Sequence, residues 1–365
     1  MDRLRTFNPL SSVSTGVVTL VAVATVLFYL FRAIVEPYVM IQTLAKAIGL
    51  GSTYALVALG FVLIFKGTQV VNFAQGALAM VGALFLSFLA ADEHIPFTTV
   101  RNPLISIGPE WFGWALSVIV ALVIAGILGL VLERVVIRPM IGQPLFSVAV
   151  ITLGLEAILR TAANDAVQTE LRPLAIPWGT SGFTLGGETN AGGLTSGGAS
   201  IAWAYVAAAI TAVAAFLAVY FFYRSRMGVA MRAVAFDQEA AMAQGINVGR
   251  VFAIAWIAGS ILAAIGGIFA TQPPIAQTGA VQLETQFIAF RALPAVILGG
   301  LDSVQGALVG GLIIGLAEIT AGQYLSQYAG TLGSGYPLVV PYLVMIVGLL
   351  VRPYGFFGTP EVRRV

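Results

Sequence analysis

Two amides interrupt an apolar run, "VVNFAQGALAM" over residues 70–80, in a chain whose hydrophobic stretches otherwise avoid polar side chains. Asn72 and Gln75 can serve there in two ways. Their carboxamides can satisfy backbone groups freed by a broken helix and hydrogen-bond a small solute, with Phe73 and the neighbouring aliphatics as an apolar wall. Alternatively, both amides bond to neighbouring helices and hold them together. A second set lies in "RSRMGVAMRAVAFDQEAAMAQGINVGR", residues 224–250. Asp237 can cap a helix N-terminus, Glu239 falls in the first turn where the dipole favours an acid, and Gly245 can end the helix. The spacing predicts a two-turn helix over residues 238–244. So short a helix is marginal alone in water, and its Ala240, Ala241 and Ala243 leave little bulk between the backbone and any surface it meets.

No set of residues points to catalysis. The chain has neither a G-x-x-x-x-G-K-S/T loop for nucleotide phosphates nor a G-x-S-x-G or H-E-x-x-H motif. It has no cysteine, and its one histidine, His94, has no second histidine to complete a metal site. No cofactor is expected in the chain.

The elements that must carry these residues are membrane helices. Hydrophobic residues make up 59% of the chain and charged ones 9%, with a mean hydropathy of +0.95, far from soluble averages. A formal charge of +2 offers no basic stripe for a nucleic-acid backbone, so nucleic acid is not a partner. Runs long enough to cross roughly 30 Å of hydrocarbon number about ten: 13–31, 39–65, 70–90, 114–132, 146–159, 201–223, 251–270, 287–301, 304–319 and 338–351. The expected fold is therefore an all-α polytopic membrane protein, some of whose helices are short or broken. Placing the N-terminus inside puts Arg3, Arg5, Lys66, Arg134, Arg138, Arg224, Arg226, Arg232, Arg250, Arg352, Arg363 and Arg364 on the cytoplasmic side, most of the 18 basic residues. Both termini are then cytoplasmic. Residues 1–38 read as an extra N-terminal helix, set off by Glu36-Pro37 and retained because no A-x-A cleavage site follows it. The core runs over 39–358, with a Gly-rich external loop at 161–200 whose alternation suggests short hairpins, a cytoplasmic loop at 224–250 and a tail at 359–365.

Glu284 and Arg291 are costly if intramembrane, so they should face protein or water at the external end of the 287–301 run, as ion-pair partners or as solute ligands. "QGAL" recurs at residues 305–308, hinting at two similar halves. The second copy opens a helix in which Gly306, Gly310, Gly311 and Gly315 form two G-x-x-x-G patterns, a signature of close helix packing.

"EAAMAQG" at 239–245 resembles the Glu-Ala-Ala, three residues, Gly signature of the permeases of ATP-binding-cassette importers, without the Ile-x-Leu-Pro that follows in many members. The stretches 49–83, 231–246 and 297–318, with "LLVRPYGFFG" at 349–358, resemble the permease of branched-chain amino-acid importers. The resemblance implies a non-catalytic, multi-pass subunit of the bacterial cytoplasmic membrane. It implies a second, homologous permease subunit, two cytoplasmic ATPase subunits that handle ATP and Mg, and an extracytoplasmic solute-binding protein. On that reading Arg232, Asp237, Glu239, Ala240, Ala241 and Gly245 couple to the ATPase. Ser52, Tyr54, Asn72, Phe73, Gln75 and Gly76 mark the translocation path, and the solute is a branched-chain or other hydrophobic amino acid. Related permeases are assigned to urea, short amides and other amino acids. The chain departs from the family in its extra N-terminal helix, its long Gly-rich loop, and Gln75 where many members carry His. A secondary transporter or channel would instead need in-span acids, for which Glu156, Glu318 and Glu133 are available.

Overall fold

A computed structural model describes residues 23–92, 101–105, 110–167, 172–174, 176–186, 188–189, 195–196, 198–276 and 279–359. His94, the segment 13–22 of the first expected span and the terminal arginines lie outside them. The helices are α1 (Val23–Val35), α2 (Pro37–Thr68), α3 (Gln75–Ala91), α4 (Glu110–Leu132), α5 (Leu145–Val167), α6 (Trp203–Arg224), α7 (Arg226–Phe236), α8 (Gln238–Ala243), α9 (Val248–Ala270), α10 (Ile288–Gly299), α11 (Val304–Tyr324), α12 (Ala329–Leu332) and α13 (Tyr336–Val351).

The centre of the bundle is α2. It begins at Pro37, a first-turn position where a missing N–H costs nothing. It packs most extensively on α11 and α9 and also on α6 and α10. Its apolar stretch is 83% buried, against 17% for α5, so α2 is an inner helix and α5 a peripheral one. Small residues set these approaches. A Cβ on Gly311 would stand 2.7 Å from the Ala55 backbone nitrogen and from the Gly51 carbonyl oxygen. Gly315 meets the Gly51 backbone as well, so Gly311 and Gly315 seat α11 on α2, while Gly306 and Gly310 face Gly299 and Ala295 of α10. The two G-x-x-x-G patterns thus serve two different neighbours. The chain end "LLVRPYGFFG" folds back on α10, where the Phe356 and Phe357 amides donate to the Leu298 and Gly299 carbonyls at 2.8 and 3.0 Å. Those carbonyls would otherwise lack intrahelical partners.

α4 continues through a π turn (Glu133–Ile137) and a 3-10 turn (Arg138–Met140). The Glu133 side chain is fully buried and is met by the Arg138 guanidinium at 2.9 Å to each oxygen; Arg138 also donates to the Gly249 carbonyl at 3.0 Å. This fork ties the end of α4 to the start of α9. Arg138→Ala leaves a buried carboxylate without its cation, which costs about 3–5 kcal/mol. Thermal unfolding in detergent should show it as a clear drop in midpoint, and the double change with Glu133→Gln should recover part of it.

Within the Gly-rich stretch the described residues form two antiparallel strand pairs. β2 (Gly182–Leu185) pairs antiparallel with β5 (Ala199–Ala202), and β3 (Glu188–Thr189) pairs with β4 (Thr195–Ser196). Separately, β1 (Arg172–Pro173) pairs with β6 (Ala280–Val281) and anchors the loop to the segment before α10.

Among the described residues six helices are long and apolar enough to cross a membrane, or seven if the bent pair Ser326–Leu332 and Tyr336–Val351 is one span. Of the runs expected to cross, the first lies partly outside the described residues, and two others hold shorter helices. The run 70–90 is helical only from Gln75, and 287–301 holds the 12-residue α10, entered through a 3-10 turn (Leu283–Phe287). At 1.5 Å per residue, α10 extends only about 18 Å.

Candidate solute path and coupling site

α2 ends at Thr68 because Gln69 takes a left-handed conformation (φ 58°). The backbone stays non-helical through Ala74 and re-enters a helix at Gln75. Asn72 and Gln75 hold this break. Both are fully buried. The Asn72 amide donates to the Gln75 side-chain oxygen at 3.1 Å, and the Asn72 oxygen accepts from the Ala74 N–H at 3.1 Å. Gln75 in turn donates to the Gly259 carbonyl of α9 at 3.3 Å. The Phe73 N–H donates to the Thr152 hydroxyl of α5 at 3.1 Å. Asn72 thus satisfies a backbone N–H freed by the break, and Gln75 ties the break to α9. Gly259 lies halfway along α9, which is about 34 Å long at 1.5 Å per residue. The amide pair accordingly lies level with the middle of α9.

Gly76 lets the start of α3 approach the turn before α10, since a Cβ there would collide with the Gln286 carbonyl oxygen. "QGAL" opens α3 and α11 alike, and in each the glycine meets a neighbouring backbone, that of Gln286 or of Gly299. Ser52 is buried in α2, and Tyr54 is fully buried with its hydroxyl donating to Glu318 of α11 at 2.6 Å. Arg291 of α10 lies within electrostatic reach of that pair. Glu318 was visible in the sequence as an in-span acid; its partner, 264 positions away, was not.

At one end of the bundle lies α8. The Asp237 carboxylate accepts from the Ala240 N–H at 2.9 Å and caps its N-terminus. At the other end Gly245, at φ 80°, donates to Met242 while Ile246 donates to Ala241, the paired bonds of a glycine-closed helix end. The three alanines do not share one role. Ala241 is 4% exposed and belongs to the core, so it seats the helix; Glu239, Ala240 and Ala243 face outward beside exposed Phe236 and Met242. Ala241, expected among the coupling residues, thus turns toward the permease core. Arg232 does not lie on α8. Its guanidinium donates to the Tyr223 carbonyl at 2.7 Å and stands 5.6 Å from the Tyr223 ring, whose centre is also 4.3 Å from the Lys66 ammonium. This stack joins α7 to the end of α2, just before the break.

At the opposite end of α9 a cleft of about 370 Å³ is lined by Thr271, Ile275, Gln282, Glu284, Thr285 and Arg291, among others. Glu284 and Arg291 thus share one solvent-open cleft and make no ion pair with each other. Among the described residues no group of acids and histidines is arranged to hold a metal.

Comparison with known proteins gives a consistent answer. Residues 43–349 match the family described as branched-chain amino acid transport system, permease component. The chain is 32% identical over 328 residues to the high-affinity branched-chain amino acid transport system permease protein LivH of Escherichia coli K12, covering 89% of this chain and 97% of that one. It is 30% identical over 331 residues to the corresponding protein BraD of Pseudomonas aeruginosa, covering 90% and 99%. It is 28% identical over 323 residues to a probable branched-chain amino acid transport permease of Methanocaldococcus jannaschii, covering 86% and 91%. No solved structure matches the chain.

Proposed function

Because the chain belongs to the branched-chain amino acid transport system permease family, we propose that it is the translocation subunit of an ATP-binding-cassette importer, carrying branched-chain or other hydrophobic amino acids inward across the cytoplasmic membrane. ATP is hydrolysed by separate subunits. The observation that carries the reading is α8: a helix of one and a half turns, capped at both ends, seated by Ala241 and presenting Ala240 and Ala243 outward. Its small outward face suits a groove in a cytoplasmic ATPase.

In this reading the α8 end is cytoplasmic, as are both termini, and the Glu284 cleft faces outward toward a solute-binding protein. A second permease subunit and lipid cover the apolar faces of helices such as α5. The path runs from the cleft past Ser52 and Tyr54 to Asn72, Phe73, Gln75 and Gly76, which are closed in this conformation. ATP-driven closure of two ATPase subunits moves α8, the Tyr223 stack passes the motion to the end of α2, and the break opens inward. The family match begins at residue 43, so the segment before it is read as an addition to the permease core.

Uptake of labelled leucine, isoleucine and valine by the assembled complex tests the assignment. Uptake should require ATP and survive collapse of the proton and sodium gradients. Uptake that follows either gradient without ATP would make the chain a secondary transporter, and competition by urea or short amides alone would move the substrate to that class.

A further inference from the structure

Glu284 sits in the 3-10 turn that opens the α10 segment, and Arg291 follows seven positions later, in the first turns of α10. Seven positions is about two helical turns, so both side chains line the same cleft. Among the described residues neither takes part in an ion pair. Arg291 also lies within hydrogen-bonding and electrostatic reach of the buried Tyr54–Glu318 pair, so the cleft carries an anchored cation and, in Glu284, an exposed anion. Thr271 and Thr285 add hydroxyls, and Ile275 and Ile288 add an apolar wall. The volume, about 370 Å³, lies within the range of small-molecule sites.

We propose that this cleft is the permease's own receiving site for a zwitterionic α-amino acid, with Arg291 binding the carboxylate and Glu284 the ammonium. The proposal rests on the importer reading above and narrows its substrate class. A neutral solute such as urea would leave both charges unmatched, whereas an α-amino acid matches both and places its side chain on the isoleucine wall. Arg291 is the better held of the two charges, since the Tyr54–Glu318 pair stands beside it. Glu284 is exposed and free to close on the ligand.

The native chain has no cysteine, so Thr285→Cys can be labelled alone by a membrane-permeant maleimide in the assembled complex. Millimolar leucine should slow labelling about fivefold, as occupancy near 80% requires. Leucinamide, without the carboxylate, and 4-methyl-2-oxopentanoate, without the ammonium, should not protect. Adding Glu284→Gln should make the keto acid protect as well as leucine does, and adding Arg291→Gln should abolish protection by leucine. A cysteine that does not react, equal protection by all three compounds, or no protection by leucine in a complex that still imports leucine would overturn the site. A complex that imports no amino acid would instead overturn the importer reading. Membrane abundance of each variant separates loss of binding from loss of folding.

Discussion

Replacing Gly311 with valine is expected to remove most of the folded chain from detergent extracts. The added Cβ alone would lie 2.7 Å from the Ala55 nitrogen and from the Gly51 carbonyl oxygen, where backbone rather than a mobile side chain is in the way. α2 and α11 would have to separate along the most extensive helix contact in the bundle. Overpacking of this kind costs about 1–3 kcal/mol, and more where backbones must part, a large share of a typical stability of about 5–15 kcal/mol. Gly322 of the same helix is the control, since its nearest neighbour would be a Pro337 side-chain atom at 3.9 Å. Gly322→Ala should be neutral or stabilising, because alanine favours helix by about 1 kcal/mol over glycine. Thermal midpoints and monodisperse yield measure both. Normal stability of Gly311→Val would show that α11 does not seat on α2 as described.

The second large effect is expected at α8. Ala243→Trp adds bulk to an exposed helical position, where substitutions usually change stability by no more than about 0.5 kcal/mol. The permease should therefore fold normally. If the outward face of α8 enters an ATPase groove, the indole blocks docking, and uptake should fall on the order of tenfold or more, as at an interface hot spot. Ala241→Glu should behave differently. Ala241 is 4% exposed, so that change buries a charge in the permease itself and should lower both stability and abundance. Measuring uptake, ATP hydrolysis and the thermal midpoint for both variants separates docking from seating. Wild-type uptake by Ala243→Trp would remove the coupling role from this face.

Local chemistry was legible in the sequence and long-range chemistry was not. Capping by Asp237 and closure by Gly245 depend on residues a few positions apart, so their spacing is sufficient to place α8. The same holds for the glycines of α11, whose periodicity announces close packing without naming the partners, α2 for one pair and α10 for the other. Which alanine of α8 turns inward depends on how α7 and α9 hold it, and no local pattern encodes that. Hydropathy also did not place the breaks between helices. It sums apolar content and cannot see that Gln69 is left-handed or that residues 283–287 form a tighter turn, so Val70 and Phe287 read as span starts. The Asn72 and Gln75 amides were conspicuous because apolar surroundings isolate them. Their partners were not, since Thr152 lies 79 positions from Phe73 and Gly259 lies 184 positions from Gln75.

The central claim is that solute passes at the break between α2 and α3, and that ATP opens it. Both amides are fully buried here and bonded to protein, so their exposure in another state of the cycle decides the matter. Single cysteines at Asn72, Phe73, Gln75 and Gly76, in a chain with none of its own, can be probed with a hydrophilic thiol reagent in the assembled complex, with and without ATP. The account predicts that the cysteine at position 72 or 75 reacts, at a rate that changes when ATP is added. All four positions remaining inert in a folded, transporting complex would contradict it, and would leave the amides as helix glue alone.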